Sequence, residues 1–102
     1  MELKPGIRLR SRACATEVIV IRAPLGDVDI RCGGIAMDLY EHAAAVEAAP
    51  MAGRDGGTQI GKRYTTPEVP LEVLVTKPGA GSLTIADTPL VVKEAKPLPA
   101  SD

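Results

Sequence analysis

The stretch Glu17-Val18-Ile19-Val20-Ile21-Arg22 decides the fold, because it returns 55 residues later as Glu72-Val73-Leu74-Val75-Thr76-Lys77. Four successive β-branched residues make the first copy a strong strand signal. Unbroken apolarity predicts cover on both faces, by the other copy or by a partner chain. Working outward at the same spacing, Gly6, Arg8, Gly26 and Ile30 recur as Gly61, Arg63, Gly81 and Ile85. Leu9/Tyr64, Ile19/Leu74, Arg22/Lys77 and Val28/Leu83 are conservative partners. The expectation is a mainly β single domain over 1–102, made of two small antiparallel β units in pseudo-twofold repeat. Unit one covers 6–37 and unit two 59–93.

The elements around the two strong strands follow from local chemistry. Ala23-Pro24-Leu25-Gly26 and Pro78-Gly79-Ala80-Gly81 supply turns. Asp27–Cys32 alternates, with Val28, Ile30 and Cys32 on the inward face. In unit two Ser82–Ala86 mirrors it, with Leu83 and Ile85 inward, and Pro89–Lys93 adds a further strand. Between the units the period changes. Asp38 is placed to N-cap, Glu41 sits three residues on, and Leu39, Ala43 and Val46 form a stripe. One connecting helix is expected over about 39–49, ended by Pro50, with a linker to residue 58. The last segment, 94–102, carries Pro97 and Pro99 and reads as an extended, mobile tail.

Composition narrows the function classes. The chain of 102 residues has 12 basic and 13 acidic residues, no Phe or Trp, and two Tyr. It lacks the basic excess and the stacking aromatics of a nucleic-acid binder. The opening residues MELKPGIRLRSR hold no apolar h-region, and no apolar run is long enough to cross a membrane. The expectation is a cytoplasmic protein that binds neither nucleic acid nor membrane, and covering two apolar faces in so short a chain predicts a homo-oligomer.

The chemistry-bearing residues are few. Cys14 and Cys32 lie in unit one, and Val69 and Asp87 stand 55 residues beyond them. Thiol chemistry is therefore expected of unit one alone. Three readings are open: buried reduced thiols packing as small hydrophobes, ligands of a metal site, or a disulfide across the hairpin. His42 is the only histidine. It reads as a helix-surface residue, with a third metal ligand or a general base as the alternative. No nucleophile–base set accompanies it. Gly56–Arg63 approaches the phosphate-loop pattern, but Arg63 replaces its hydroxyl residue and no strand–loop–helix context surrounds it. Arg8, Arg10 and Arg12 form a basic patch for an acidic partner.

Residues 11–37, SRACATEVIVIRAPLGDVDIRCGGIAM, resemble the desulforedoxin-type rubredoxin-like module. That family shows C-x-x-C-G, a strand, a Gly-containing turn, a second strand and C-C-G-x-x-M. Its four cysteines bind iron, and the module commonly dimerises. Cys14 falls on the second family cysteine and Cys32 on the third; Gly34 and Met37 fall on the closing Gly and Met. Ser11 stands at the first cysteine and Gly33 at the fourth. A fainter copy runs over about 66–92. The resemblance implies a degenerate metal-binding scaffold. The leading expectation is a small non-enzymatic accessory or interaction protein without a cofactor. Its partner would meet Arg8, Arg10, Arg12, Pro97, Pro99 and the strand edges. The alternative is a zinc- or iron-binding or thiol-redox protein that uses Cys14 and Cys32, a metal site being completed by the same cysteines of a second chain or by Asp or His ligands.

Overall fold

A computed structural model describes residues 1–42 and 49–93. They form ten strands: β1 Arg8–Arg10, β2 Glu17–Arg22, β3 Ile30–Cys32, β4 Ile35–Ala36, β5 Asp38–Leu39, β6 Arg63–Thr65, β7 Glu72–Lys77, β8 Leu83–Ile85, β9 Thr88–Pro89 and β10 Val91–Val92. Every pairing is antiparallel. One sheet runs β10-β6-β7-β2-β1-β5 and the other β4-β3-β8-β9. Each order reads the same from both ends once every strand of unit one is matched with its counterpart in unit two. The pseudo-twofold therefore relates the halves of each sheet, and both sheets are centred on a pair made between units.

Register places the axis. Ile19 lies opposite its own counterpart Leu74, flanked by Val18↔Val75 and Val20↔Val73. In the second sheet Arg31 lies opposite Thr84, 53 positions on rather than 55. The connection 78–82 is two residues shorter than 23–29, and the repeat shifts by two beyond it. Backbone bonds repeat on both sides of that shift. Gly6 N–H donates to Val20 O (2.7 Å) as Gly61 N–H does to Val75 O (2.9 Å). Met37 N–H donates to Ile30 O (3.0 Å) as Leu90 N–H does to Leu83 O (3.0 Å). The constant spacing thus gives way after β7. Ile30 corresponds to Leu83 and meets Ile85 across the strands, while Cys32 corresponds to Ile85 rather than Asp87.

One apolar cluster draws on both sheets: Leu9, Val18, Val20, Leu71, Val73 and Val75 from the six-stranded side, and Val28, Ile30, Cys32, Met37, Leu83 and Leu90 from the other. Inward alternation of Val28, Ile30 and Cys32 holds. The double cover expected of β2 does not: Val18 and Val20 are fully buried, whereas Ile19 and Ile21 are half-buried on the outer face. In β8, Thr84 rather than Ile85 is fully buried, and its hydroxyl is spent on Ala86 O at 2.9 Å.

The expected connecting helix is the main correction. Asp38 and Leu39 are strand β5, paired with Arg10 and Leu9. Tyr40 N–H continues that ladder to Arg8 O at 2.9 Å, and Glu41 and His42 turn away. A free sheet edge beside β1 captured the residues that were to open the helix, so Leu39 packs as a strand residue and not as the start of a stripe. Residues 43–48 of that helix, and the tail 94–102, lie outside the described residues. Among the described residues there is no helix, and none long and apolar enough to cross a membrane.

Candidate functional site

The loop joining β1 to β2 builds one wall of the site. Ser11 N–H closes it onto Thr16 O at 2.9 Å. Ser11 Oγ then accepts the amides of Ala13 (3.0 Å) and Cys14 (3.1 Å), a local serine turn that holds Cys14 at the loop crest. In unit two Thr66 does the same work, accepting Glu68 N–H at 3.4 Å. The second wall is the end of β3. Cys32 is its last residue, and Gly33 and Gly34 (φ +67° and +84°) turn the chain into β4, a left-handed pair that glycine adopts without strain.

These walls bring Cys14 Sγ within 3.7 Å of Cys32 Sγ. Both thiols are free; Cys14 is half-buried and Cys32 is fully buried. Cys14 Sγ also lies 3.4 Å from Ser11 Oγ and 3.2 Å from Thr16 Oγ1, and Thr16 Oγ1 is 2.9 Å from Thr58 Oγ1. Thr58 Oγ1 in turn accepts Gly79 N–H at 3.0 Å.

Both thiols lie in unit one, as the sequence places them, and the roof over them comes from the backbone of unit two. Gly81 N–H donates to Cys14 Sγ at 3.3 Å. A methyl on Gly79 would lie 2.8 Å from Cys14 Sγ and 2.5 Å from Thr16 Oγ1, and one on Gly81 would lie 2.9 Å from Cys32 Sγ. Neither glycine has a positive φ; each is needed for close approach. Side-chain comparison between the repeats could not reveal this contribution, which is made by backbone. The signal in the sequence was Gly79-Ala80-Gly81 itself, small residues crowded into one short connection.

The two thiols are pushed apart in acidity. For Cys14, burial acts upward, but the Ser11 and Thr16 hydroxyls with the amides of Thr16 and Gly81 outweigh it and bring the thiol from 9.0 down to about 7. For Cys32, burial dominates and lifts it from 9.0 to about 12, opposed by the Ser11 hydroxyl and reinforced by the charge of Cys14. Near neutral pH one sulfur of the pair is an accessible nucleophile and the other a buried, protonated thiol.

The other expected site residues lie elsewhere. Arg8 and Arg10 each place the guanidinium 4.3 Å from the Tyr40 ring centre, and Arg10 Nε is 3.6 Å from Glu17. Their cationic faces are engaged by that ring. Arg12 is half-buried in the β1–β2 loop. His42 is exposed after β5. Pro97 and Pro99 fall outside the described residues.

A four-ligand zinc or iron site needs two donors beyond the two thiols. Ser11 Oγ, where the resemblance expects a first ligand, has its lone pairs occupied by two amides, and Gly33, where it expects the fourth, offers no side chain. Among the described residues no three His, Cys, Asp or Glu side chains gather to hold a metal. The described residues of one chain do not fit a closed tetrahedral site. Comparison of the chain with known protein families, characterised proteins and solved structures finds no match.

Proposed function

We propose that this protein is a dithiol–disulfide redox protein, with Cys14 as attacking thiol and Cys32 as resolving thiol. The observation that carries the reading is the 3.7 Å Sγ–Sγ separation between a half-buried and a fully buried cysteine. A modest side-chain movement converts that contact into a covalent bond of about 2.05 Å. With a disulfide A–S–S–B as acceptor, Cys14 thiolate bonds to the sulfur of A and expels B as thiolate. Cys32 then gives its proton to that thiolate and attacks Cys14 Sγ. The Cys14–Cys32 bond forms and A leaves as a thiolate that takes a proton from solvent. Two electrons pass to the acceptor, which ends as two thiols.

The test is equilibration of the whole chain with mixtures of reduced and oxidised dithiothreitol, quenched with an alkylating agent and weighed. The expected result is a single two-electron transition that removes two hydrogens per chain and is abolished by Cys14→Ser or Cys32→Ser. Thiols that titrate independently, or that never join, would overturn the reading.

A second reading rests on the same distance. Two thiolates on one tetrahedral zinc, each about 2.3 Å from the metal, stand roughly 3.8 Å apart. Cys14 and Cys32 are then half of a site that a second copy completes. Elemental analysis beside native mass decides it: about one zinc or iron per dimer supports it, and metal-free protein with the redox transition above removes it.

A further inference from the structure

The half-buried Cys14 Sγ is bordered on its protein side by small polar groups. Cys32 Sγ, Ser11 Oγ, Thr16 Oγ1 and Gly81 N lie 3.7, 3.4, 3.2 and 3.3 Å away. On the side of unit two the space is closed by backbone, since even one methyl on Gly79 would meet the sulfur at 2.8 Å. Exchange with a disulfide needs three sulfurs in line, with a carbon chain attached to each incoming sulfur. Attack on a hydroperoxide needs room for two oxygens. The hydroxyls are also oriented for that guest. Ser11 Oγ accepts two amide protons and that of the Cys14 thiol, so once Cys14 is ionised the Ser11 hydroxyl proton turns toward the sulfur. Thr16 Oγ1 continues through Thr58 Oγ1 at 2.9 Å, a hydroxyl chain leading away from the reacting atom.

We propose that a small hydroperoxide is the oxidant of the Cys14–Cys32 pair, held by the hydroxyls of Ser11 and Thr16 against Cys14. This rests on the dithiol reading and narrows its acceptor. Cys14 thiolate attacks the terminal oxygen of R–O–O–H. The S–O bond forms, the O–O bond breaks, and the leaving alkoxide takes a proton to become R–OH. Cys14 is then a sulfenic acid. Cys32, in contact and needing no hinge, loses its proton and attacks Cys14 Sγ. The S–S bond forms, the S–O bond breaks, and hydroxide leaves as water with that proton. Two thiols and one hydroperoxide give one disulfide, one alcohol and one water. The lowered pKa of Cys14 supplies the thiolate at neutral pH.

The experiment follows disulfide formation in the reduced whole chain with hydrogen peroxide and, separately, with oxidised glutathione. Each rate is divided by that of free cysteine thiolate with the same reagent. The expected enhancement with peroxide exceeds that with glutathione disulfide by about tenfold or more. In Cys32→Ser, dimedone is expected to label Cys14 after peroxide. Faster relative closure with glutathione disulfide would overturn the hydroperoxide proposal and leave the dithiol reading standing. A peroxide rate no greater than that of free thiolate would also overturn the proposal. Failure to close with either reagent would overturn both. The wild-type comparison needs no variant, so it stands even if a substitution disturbs folding.

Discussion

At Cys14 burial and the neighbours' hydrogen bonds act in opposite directions on the thiol, and together the hydrogen bonds prevail. The thiol ordinarily ionises near 9.0, and its environment lowers this to about 7. Iodoacetamide labelling of Cys14 should therefore rise with pH about a midpoint near 7, while Cys32, pushed up to about 12, stays unlabelled until the chain unfolds. Thr16→Val removes one donor to the thiolate, so the midpoint should move upward and labelling at pH 7 should fall several-fold; a pH profile by mass spectrometry reads both. Ala86 is a second informative residue. It is the non-glycine with a positive φ among the described residues (+50°), at the position corresponding to Gly33 (+67°). An L-residue there costs about 1–2 kcal/mol, offset by the greater entropy that glycine loses, about 0.5–1 kcal/mol. Ala86→Gly is expected to raise stability by roughly 0.5–1 kcal/mol, read as a higher urea midpoint. The sequence made Cys14 and Cys32 legible as a pair, because alternation over Asp27–Cys32 aimed Cys32 inward. It hid Ser11 as a turn-former and Gly79 and Gly81 as a roof, since a hydroxyl's local bond and a missing Cβ leave no periodic trace.

The strands show where periodicity was a sufficient guide. Val18 and Val20 of β2 and Val73 and Val75 of β7 are fully buried at the centre of the six-stranded sheet, though only on one face of the run, since Ile19 and Ile21 stay half-buried on the other. Beside them, on β7, Glu72 keeps a buried carboxylate by holding Lys93 Nζ at 2.7 Å and Arg63 Nη1 at 3.2 Å. The Lys93 hydrogen bond, with the charges of both cations, lowers its pKa below the ordinary 4.5 despite burial. The folded chain then binds that proton less readily than the unfolded chain. The stabilisation is complete above pH 4.5 and is lost as pH falls through the depressed value. Urea midpoints should show Glu72→Gln less stable than wild type at pH 7 and losing less than wild type on acidification to about pH 3. β5 marks where periodicity misled. Asp38 and Leu39 satisfy a helix-start pattern, yet the unpaired edge of β1 offered them backbone partners and tertiary pairing overrode local preference.

Across the whole molecule, each sheet is half unit one and half unit two. The pairs β2–β7 and β3–β8 hold both sheets together. A fragment of residues 1–53 loses the partner of its most apolar strand and the roof over its thiols, and is expected to be unfolded by circular dichroism and by rapid amide exchange, regaining structure on mixing with residues 54–102. The duplication itself was readable in the strong strands because paired β-branched runs conserve their pattern. The two-residue shortening ahead of β8 was not, because glycines and small residues can be aligned at either spacing. That architecture also bears on how fast the chain can find its structure. Ile19 and Leu74, 55 residues apart, must meet before either sheet has a centre, and such non-local pairing is slow to nucleate, on the order of milliseconds to seconds. A bond between Cys14 and Cys32 shortens only a stretch inside unit one and leaves that search untouched. Oxidised and reduced chains should therefore refold at similar rates in stopped-flow experiments while the oxidised chain unfolds more slowly, so that redox state sets the lifetime of the native protein and leaves the speed of its formation alone.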